Sequence, residues 1–457
     1  MLKNIRIILA GCVYPCYTYY ESVCFENKIK GMIWMNNDFL LKTEGARRLY
    51  RVAKDLPIID FHNHLSVADM ACDRQFNNLT ELWLASDPYK HRLMRICGVE
   101  EKYITGDATP YEKFEKYCEI FPLLAGNPVY DWSRMELSRI FGIDTLPTKE
   151  TAKEIYEKAG QLLKLPEFSN NAILAKFNIA YQSPVAAIAD DLSGFNGKTV
   201  APSLRGDNLL VPDEALKQTL SQRTGMAITD MVSYIAAIGV MLDRFHAAGC
   251  RFADHALDAG FFTENPKGAE ILCHLGGEYA KRGWTLLLHI DAKRATSTRL
   301  AKVAGPAGGY AAVGGSFDLT AVCDLLGTME AQSALPDTVI FPLNMSDQAP
   351  LAVLQGSFSQ DGVASKVQLG PAWWWCDHAL GIRNTMDCIA SFGAVSQFIG
   401  MTTDSRSVLS FGRHDYFRRI LCAWLDEHNA DWELPRAALE EILIKICYKN
   451  ALDKIQK

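Results

Sequence analysis

The sequence predicts a single α/β domain built as a (β/α)8 barrel, with a helical insertion after the first strand. Three observations support this prediction: eight short apolar segments are spaced along the chain, stretches of helical periodicity separate most of them, and one long aromatic-rich region interrupts the alternation. Strands that alternate with helices indicate a parallel sheet. Eight such units in 457 residues are typical of a barrel that carries an insertion.

The first 31 residues differ from the rest of the chain, and we expect them to be an extension outside the fold. They contain only two acidic residues, and a short apolar run over 7–12 follows Lys3 and Arg6. The sequence around Cys12 resembles a lipoprotein processing site, but its apolar run is shorter than most export signals, which have roughly 7–15 apolar residues. We therefore expect residues 32–457 to form the barrel domain.

The strand candidates are short, apolar and bounded by turn-forming residues. An amphipathic helix over 40–53 precedes the first of them, which spans 56–61 and contains Pro57 near its start. The others are 179–181, 199–204, 250–253, 285–289, 338–343, 366–369 and 398–402. Helical spacing predicts helices over 213–220, 226–248, 266–281, 319–334 and 386–396. The region 76–170 is helical and rich in aromatic residues, and we expect it to form a subdomain over the barrel mouth.

The composition excludes several classes of protein. Hydrophobic residues make up 49% of the chain and charged residues 22%, which is ordinary for a globular protein and argues against disorder. The net charge of −6 argues against a nucleic-acid binder. No window of about 18 residues is continuously apolar, so we expect a soluble protein that does not cross a membrane. Its thirteen cysteines lack paired spacing, which favours reduced thiols in the cytoplasm.

Ionisable side chains gather at the predicted carboxyl ends of the strands, where barrel enzymes hold their active sites. They are His62, His64, Arg205, Asp254, His255, His289, Asp404 and Arg406. His62 and His64 are one residue apart at a strand end, so both imidazoles can reach one ion, and Asp404 from across the barrel would complete the site. These ligands suit Zn²⁺, Mn²⁺ or Fe²⁺, and the sequence does not choose among them. For His255 and His289, a structural hydrogen bond near the barrel rim is the alternative.

Arginines and tryptophans indicate the kind of molecule that would bind. Arg205, Arg299 and Arg406 follow predicted strand ends, and a guanidinium group binds a carboxylate through two hydrogen bonds. Ordinary ion pairs with neighbouring acids are the alternative for each. The run 373–375 consists of three tryptophans, of which Trp374 is a candidate for stacking against a sugar ring, although packing in the core is an equal alternative. A phosphate-binding loop and a serine nucleophile motif are both missing.

Several of these segments resemble the uronate isomerases of the amidohydrolase superfamily. The first-strand motif is residues 60–65, DFHNHL, and the most specific motifs are residues 400–407, GMTTDSRS, and 413–422, RHDYFRRILC. Further matches lie at 288–290, 298–299, 335–336, 343–344, 366–368 and 373–374. The resemblance runs from about residue 38 to the C-terminus, and it implies a distorted barrel of the metal-dependent hydrolase type.

The resemblance also implies an activity and a set of roles. It implies an aldose–ketose isomerase that interconverts D-glucuronate with D-fructuronate, and D-galacturonate with D-tagaturonate, by moving a proton between C2 and C1 through an enediolate. His62, His64 and Asp404 would hold a divalent metal, most simply Zn²⁺, with His289 close to it. Asp404, Tyr89 and Arg406 would take part in catalysis. Arg205, Arg299, Trp374 and His289 would bind the substrate. We also expect a homo-oligomer, because sugar-metabolising barrels of this size often assemble.

One departure from the family bears on the chemistry. Family members usually carry His-Tyr where this chain has Pro88 and Tyr89, so an imidazole is missing, and His91 is a candidate to replace it. Residues 182–191 also replace a more acidic family segment. Two alternatives therefore stay open: a related metal-dependent isomerase or hydrolase that acts on another acidic sugar, or a weakened protein that binds uronates without turning them over.

Overall fold

A curled parallel sheet forms the centre of the protein. The computed structural model describes residues 38–456, so the expectation for residues 1–31 lies outside the described part of the chain. Within that part, seven parallel strands pair side by side in chain order. Their bounds are β1 Ile58–Asn63, β2 Ile179–Ala187, β3 Ser203–Arg205, β4 Phe252–Leu257, β5 Thr285–Ile290, β8 Asp337–Pro342 and β9 Val367–Leu369. A separate antiparallel pair, β6 Ala292–Lys293 and β7 Ala312–Val313, lies in the segment between β5 and β8.

The prediction of an eighth strand over 398–402 is wrong, because these residues form no strand. The segment nevertheless lies between β9 and β1, where an eighth strand would close the barrel. It hydrogen-bonds to both edges of the sheet through side chains: the Ile399 amide donates to Gln368 Oε1 on β9 at 3.0 Å, and the His62 amide on β1 donates to Thr402 Oγ1 at 2.9 Å. Gly400 has φ +87°, and a Cβ there would lie 2.2 Å from the Ile446 carbonyl oxygen. This left-handed turn interrupts the extended backbone that a ladder needs.

Helices cover the outside of the sheet. Between and after the strands lie α9 Glu214–Thr224, α10 Met231–Ala247, α11 Phe261–Glu264, α12 Pro266–Lys281, α13 Thr298–Ala304, α14 Leu319–Ala331, α15 Gln348–Ser357, α16 Ala379–Phe392, α17 Gly412–Trp432, α18 Arg436–Ile444 and α19 Asn450–Ile455. The first helix, α1 Glu44–Ala53, packs against α17. These positions confirm the predicted alternation of strands and helices. No helix of residues 38–456 is long and apolar enough to cross a membrane.

A set of seven α-helices lies between β1 and β2. They are α2 Val67–Ala71, α3 Leu79–Trp83, α4 Pro88–Ile96, α5 Pro110–Ile120, α6 Pro128–Phe141, α7 Ala152–Leu162 and α8 Asn170–Leu174. Aromatic side chains form their shared core, as where Trp83 lies 6.0 Å from Phe114 and 5.4 Å from Tyr117 between ring centroids. An ion pair of 2.5 Å between Arg139 on α6 and Asp415 on α17 joins them to the rest of the protein. The aromatic core and this ion pair thus connect the inserted helices to one another and to α17.

Large apolar side chains fill the interior of the sheet below the strand ends. Phe61 on β1 lies 5.6 Å from Phe252 on β4 and 6.5 Å from Phe341 on β8, measured between ring centroids. All three are fully buried. Because side chains alternate along a strand, His62 and His64 point differently from Phe61 and Asn63. The ten cysteines of residues 38–456 are free thiols.

Candidate active site

A cavity of about 560 Å³ opens at the carboxyl ends of the strands. This volume falls within the roughly 300–1,000 Å³ that is typical of small-molecule sites. Residues from β1, β3, β4 and β5, from α4 and from the loops after β9 and around 404 line it. The predicted residues among them are His62, His64, Tyr89, Arg205, Asp254, His289, Trp374, Asp404 and Arg406. The structure therefore gathers side chains that are up to 344 positions apart in the sequence.

His62, His64 and Asp404 form one cluster. Oδ1 of Asp404 lies 3.3 Å from His62 Nε2 and 3.0 Å from His64 Nε2. Burial opposes ionisation of Asp404, but hydrogen bonds with the two imidazoles outweigh it and hold the pKa of this carboxyl well below its usual range. The carboxylate therefore carries its charge where a cation could bind.

Asp60 on β1 places Asp404 opposite the histidines. This fully buried carboxylate accepts hydrogen bonds from the Thr403 amide at 2.7 Å and from the Thr403 hydroxyl at 2.8 Å. His414 on α17 lies 3.4 Å from the same carboxylate. Hydrogen bonds and the charge of His414 lower the pKa of Asp60 despite its burial. Asp60 is not among the predicted site residues, although it begins the DFHNHL motif.

A second cluster adjoins the first. Nδ1 of His289 lies 2.5 Å from Oδ1 of Asp254, and the His289 ring centroid lies 4.8 Å from that of His62. Phe341 stacks on the other face of His289 with a centroid distance of 4.4 Å. The nearby charges of His289 and His62 lower the pKa of Asp254 although the group is buried. Asp254 therefore fixes the orientation of His289 beside the first cluster.

The donor atoms at this place fit a divalent metal ion. Ligand atoms of His62, His64 and Asp404 lie within 4.8 Å of one another, and so do those of His62, Asp254 and His289. A tetrahedral ion with ligand distances of about 2.1 Å places its ligand atoms about 3.4 Å apart, close to the observed 3.0 and 3.3 Å. Asp404 Oδ2 and His62 Nδ1 are buried and lack hydrogen-bond partners among the described residues. Unpaired buried polar atoms of this kind indicate a bound group.

Two of the cavity arginines are already paired with carboxylates. Arg205 binds Asp207, with both Nε and Nη2 at 3.1 Å from Oδ2, and its Nη1 lies 3.5 Å from His64 Nδ1. Nε of Arg294 lies 3.0 Å from Oδ1 and 2.9 Å from Oδ2 of Asp258. Neither residue is among the predicted site residues. Arg294 also lies 5.1 Å above the Trp374 ring, so it stiffens this wall of the cavity.

The structure places two of the candidate residues, Arg299 and His255, outside the cavity. Arg299 is exposed on α13 and is not among the residues that line the cavity, so the expected contact with a ligand there is not formed. His255 hydrogen-bonds to the Tyr279 hydroxyl at 2.8 Å behind β4, which agrees with the structural alternative for this residue. Arg294 lines the cavity, whereas Arg299, the expected substrate-binding residue, does not.

Tyr89 enters the cavity from the first turn of α4. Asp87 caps this helix by accepting a hydrogen bond from the Tyr89 amide at 2.9 Å, and Pro88 occupies its first position, where no amide hydrogen is needed. The Tyr89 hydroxyl is buried and has no hydrogen-bond partner within residues 38–456. Burial raises the pKa of Tyr89, and Arg413 opposes the shift. The phenol is therefore protonated at neutral pH and free to donate a hydrogen bond to a ligand.

Arg413 supports Tyr89 from behind and was missed as a site residue. Its guanidinium carbon lies 5.0 Å from the Tyr89 ring centroid and 3.9 Å from that of Trp132 on α6. Nη1 of Arg413 lies 3.8 Å from a carboxylate oxygen of Asp377 and 3.5 Å from the Thr403 carbonyl oxygen. Burial raises the pKa of Asp377 to about 7. Membership in the RHDYFRRILC motif was the only sequence signal for Arg413.

His91 does not take the place of the missing imidazole. It lies one helical turn after Pro88 but lines a second cavity on the other side of Ser86. Residues three apart lie on the same side of a helix, so helix rotation does not separate Pro88 from His91; the hydrogen bond of the His91 ring with the Leu84 backbone holds the ring on the side of the second cavity. At position 88 the cavity is lined by the pyrrolidine ring alone.

Comparisons with known proteins agree with this geometry. A family model described as glucuronate isomerase matches residues 32–272 and 267–454. The uronate isomerase of Caldanaerobacter subterraneus subsp. tengcongensis is 37% identical over 92% of this chain and 98% of its own length. The uronate isomerase of Salmonella arizonae is also 37% identical, over 92% of this chain and 98% of its own.

Solved structures give the same result for the fold. The crystal structure of a uronate isomerase from Thermotoga maritima superposes with a TM-score of 0.85 at 27% identity, covering 93% of this chain and all of the other. The glucuronate isomerase of Caulobacter crescentus superposes with a TM-score of 0.83 at 22% identity, covering 93% of this chain and 97% of the other. The predicted distorted barrel is confirmed by these likenesses.

Proposed function

The chain belongs to the glucuronate isomerase family, and from that premise we propose that its cavity interconverts D-glucuronate with D-fructuronate and D-galacturonate with D-tagaturonate. The reaction moves a proton between C2 and C1 of the open-chain sugar acid through an enediolate. The proposal rests on one observation: His62, His64 and Asp404 lie together beside Tyr89 in one cavity, and arginine side chains line the same cavity.

A divalent metal fits the first cluster, and Zn²⁺ is our choice because neutral imidazoles and one carboxylate are its usual ligands in open catalytic sites. His62, His64 and Asp404 would hold it, with His289 adjacent. When bound, it would act as a Lewis acid that favours negative charge on the substrate oxygens at C1 and C2. The Asp254 carboxylate keeps the His289 ring in place by its 2.5 Å hydrogen bond.

The chain's own residues would bind and orient the sugar acid. Arg406 is exposed at the cavity rim and lines its wall, so it can meet the substrate carboxylate or the charge of the enediolate. The Trp374 ring, held under Arg294, offers a flat apolar face to the carbon chain. Arg205 sits near His64, where it can donate to a substrate hydroxyl while keeping its ion pair with Asp207.

Proton transfer requires a group that gains and loses a proton beside C1 and C2. The Tyr89 phenol is the donor that we assign, because its hydroxyl is buried, protonated and unpaired within the described chain. The Asp404 carboxylate is the acceptor that we assign, through its unpaired Oδ2. Such a pair gives the proton a donor and an acceptor at one site.

Proton NMR of the full chain with each uronate in D₂O, with and without added Zn²⁺ or Mn²⁺, tests the proposal. We expect the ketose to appear with solvent deuterium at C1 or C2, and the Asp404→Asn variant to stay folded without forming ketose. Absence of both conversion and exchange in folded, metal-loaded protein would refute the isomerase. Hydrolysis of another substrate without exchange at C2 would instead favour a related hydrolase.

A further inference from the structure

A second chamber adjoins the active-site cavity. Its volume is about 700 Å³, and its walls come from α3, α4, the start of α5 and the turn after α13. Ser86, Pro306, Ala307 and Arg406 line both spaces, so the two spaces adjoin along these residues. Such a chamber can hold a molecule of the same size as the active-site ligand.

His91 gives this chamber an unsatisfied polar atom. The side chain is 5% exposed and lines the chamber, and its Nε2 has no hydrogen-bond partner in the described part of the chain. Its ring hydrogen-bonds to the backbone of Leu84, while burial, the largest effect, lowers the pKa of His91 and keeps the ring neutral. A neutral imidazole that donates from one nitrogen accepts at the other. His91 Nε2 is therefore a hydrogen-bond acceptor, and a hydroxyl group of a ligand can donate to it.

The charged side chains of the chamber favour an anion. Lys113 and Arg406 line it, and the one acid of its wall, Glu81, is already bound by Arg74 and by the Asn77 amide. The cations therefore outnumber the free carboxylates at this place. A ligand that combines hydroxyl donors with one negative charge matches both the acceptor on His91 and the cations.

We propose that the chamber between α4 and the turn 305–308 binds a second molecule of a polyhydroxylated acid, of the class that the active site uses. The choice of a sugar acid rests on the proposed function. Arg406 lines both spaces, and one guanidinium group forms a two-hydrogen-bond pair with only one carboxylate at a time. The second molecule therefore binds more weakly than the first, and the two sites oppose each other.

Calorimetric titration of the full-length, metal-loaded protein with D-gluconate tests this inference. Gluconate has the hydroxyls and the carboxylate of a sugar acid but lacks the carbonyl that an isomerase needs, so binding is counted without turnover. We expect two molecules per chain for the native protein and for the control His274→Phe, whose histidine is exposed on α12. We expect one molecule for His91→Phe.

Other outcomes overturn the inference. Binding of one molecule or none by the native protein excludes a second site, and two molecules retained by His91→Phe exclude this chamber. If His91→Phe does not fold, Lys113→Gln gives the same test, with an expected weakening of the second binding event of about tenfold. Equal competition by inorganic phosphate would show an anion site that does not recognise hydroxyls and would overturn the assignment of the ligand. A chain that binds two gluconates yet forms no ketose from uronates would refute the proposed function alone.

Discussion

Asp60 accepts the backbone amide of Thr403 at 2.7 Å, and this hydrogen bond joins the first strand to the segment that carries Asp404. Two backbone hydrogen bonds also join these segments: the Asp404 amide donates to the His62 carbonyl at 3.2 Å, and the His64 amide donates to the Ser405 carbonyl at 2.8 Å. The fully buried Asp60 adds hydrogen bonds from the hydroxyl groups of Thr402 and Thr403. The geometry of the candidate metal ligands thus depends on a residue that does not itself reach the cavity.

Asp60→Asn should lower metal affinity and turnover together. An amide can accept one of the Thr403 hydrogen bonds but brings its own N–H against the other, so Asp404 should shift. Losses of about 10–100-fold are usual when a group that positions a metal ligand is replaced. Metal titration and initial rates measure the effect. Asp55→Asn, at an exposed position, is the control, and native metal affinity in Asp60→Asn would contradict the positioning role.

Tyr89→Phe should reduce kcat by about 10²–10⁴-fold, the usual contribution of a general acid or base. The ring contacts with Trp132 and Trp375, at centroid distances of 5.8 and 5.3 Å, do not involve the hydroxyl and should survive the substitution. Steady-state kinetics with both uronates measure the loss. Tyr181→Phe is a matched control, because its hydroxyl is also buried but lies outside the cavity. Full kcat in Tyr89→Phe would remove the tyrosine from proton transfer.

Asp377 should make the protein less stable as the pH rises. Burial raises the pKa of Asp377 to about 7 in the folded state, whereas an unfolded aspartate titrates near pH 4. The folded protein therefore holds more protons between about pH 4 and 7, and its free energy of unfolding falls as pH rises through that window. At about 1.4 kcal/mol per pKa unit, the total change is on the order of 4 kcal/mol.

The Asp377→Asn variant isolates this contribution. The stability of the native protein relative to the variant should fall as pH rises from 4 to 8, and denaturant unfolding at several pH values measures it. Asp361→Asn, at an exposed position, should show no such trend. A constant difference between the native protein and Asp377→Asn would mean that the carboxyl is ionised throughout and that Arg413 compensates it fully.

The sequence predicted the parts of the site that sit at strand ends, because a parallel barrel brings those ends together whatever the loops do. His62, His64, Arg205 and His289 reach the cavity for this reason. Arg299 lies outside the cavity, on α13, nine residues after β5 ends, where the sheet no longer fixes the position of a side chain. Arg294, five residues earlier, lies before the helix begins and meets Asp258.

The closing segment shows a second limit of the sequence. Its apolar residues read as a strand, but the left-handed turn at Gly400 and the side-chain hydrogen bonds of Gln368 and Thr402 replace the ladder. Asp60, Arg413 and Asp377 act through contacts with residues far away in the chain. Periodicity has no information about such contacts, and only the family motifs indicated the first two.

Pro88→His should raise kcat by at least tenfold. A positioned acid or base contributes about 10²-fold at the lower end of its usual range, and the gain should approach that value. Pro88 lines the cavity at the first position of α4, next to Tyr89, so an imidazole there would enter the same space. The backbone should tolerate the change, because the first helical position imposes no need for proline, and the Asp87 cap remains. Pro88→Ala separates the imidazole from the loss of the ring and should leave kcat close to that of the native protein. A lower rate in Pro88→His, with Pro88→Ala unchanged, would mean that the cavity has adapted to the smaller apolar side chain and that Tyr89 and Asp404 suffice for proton transfer.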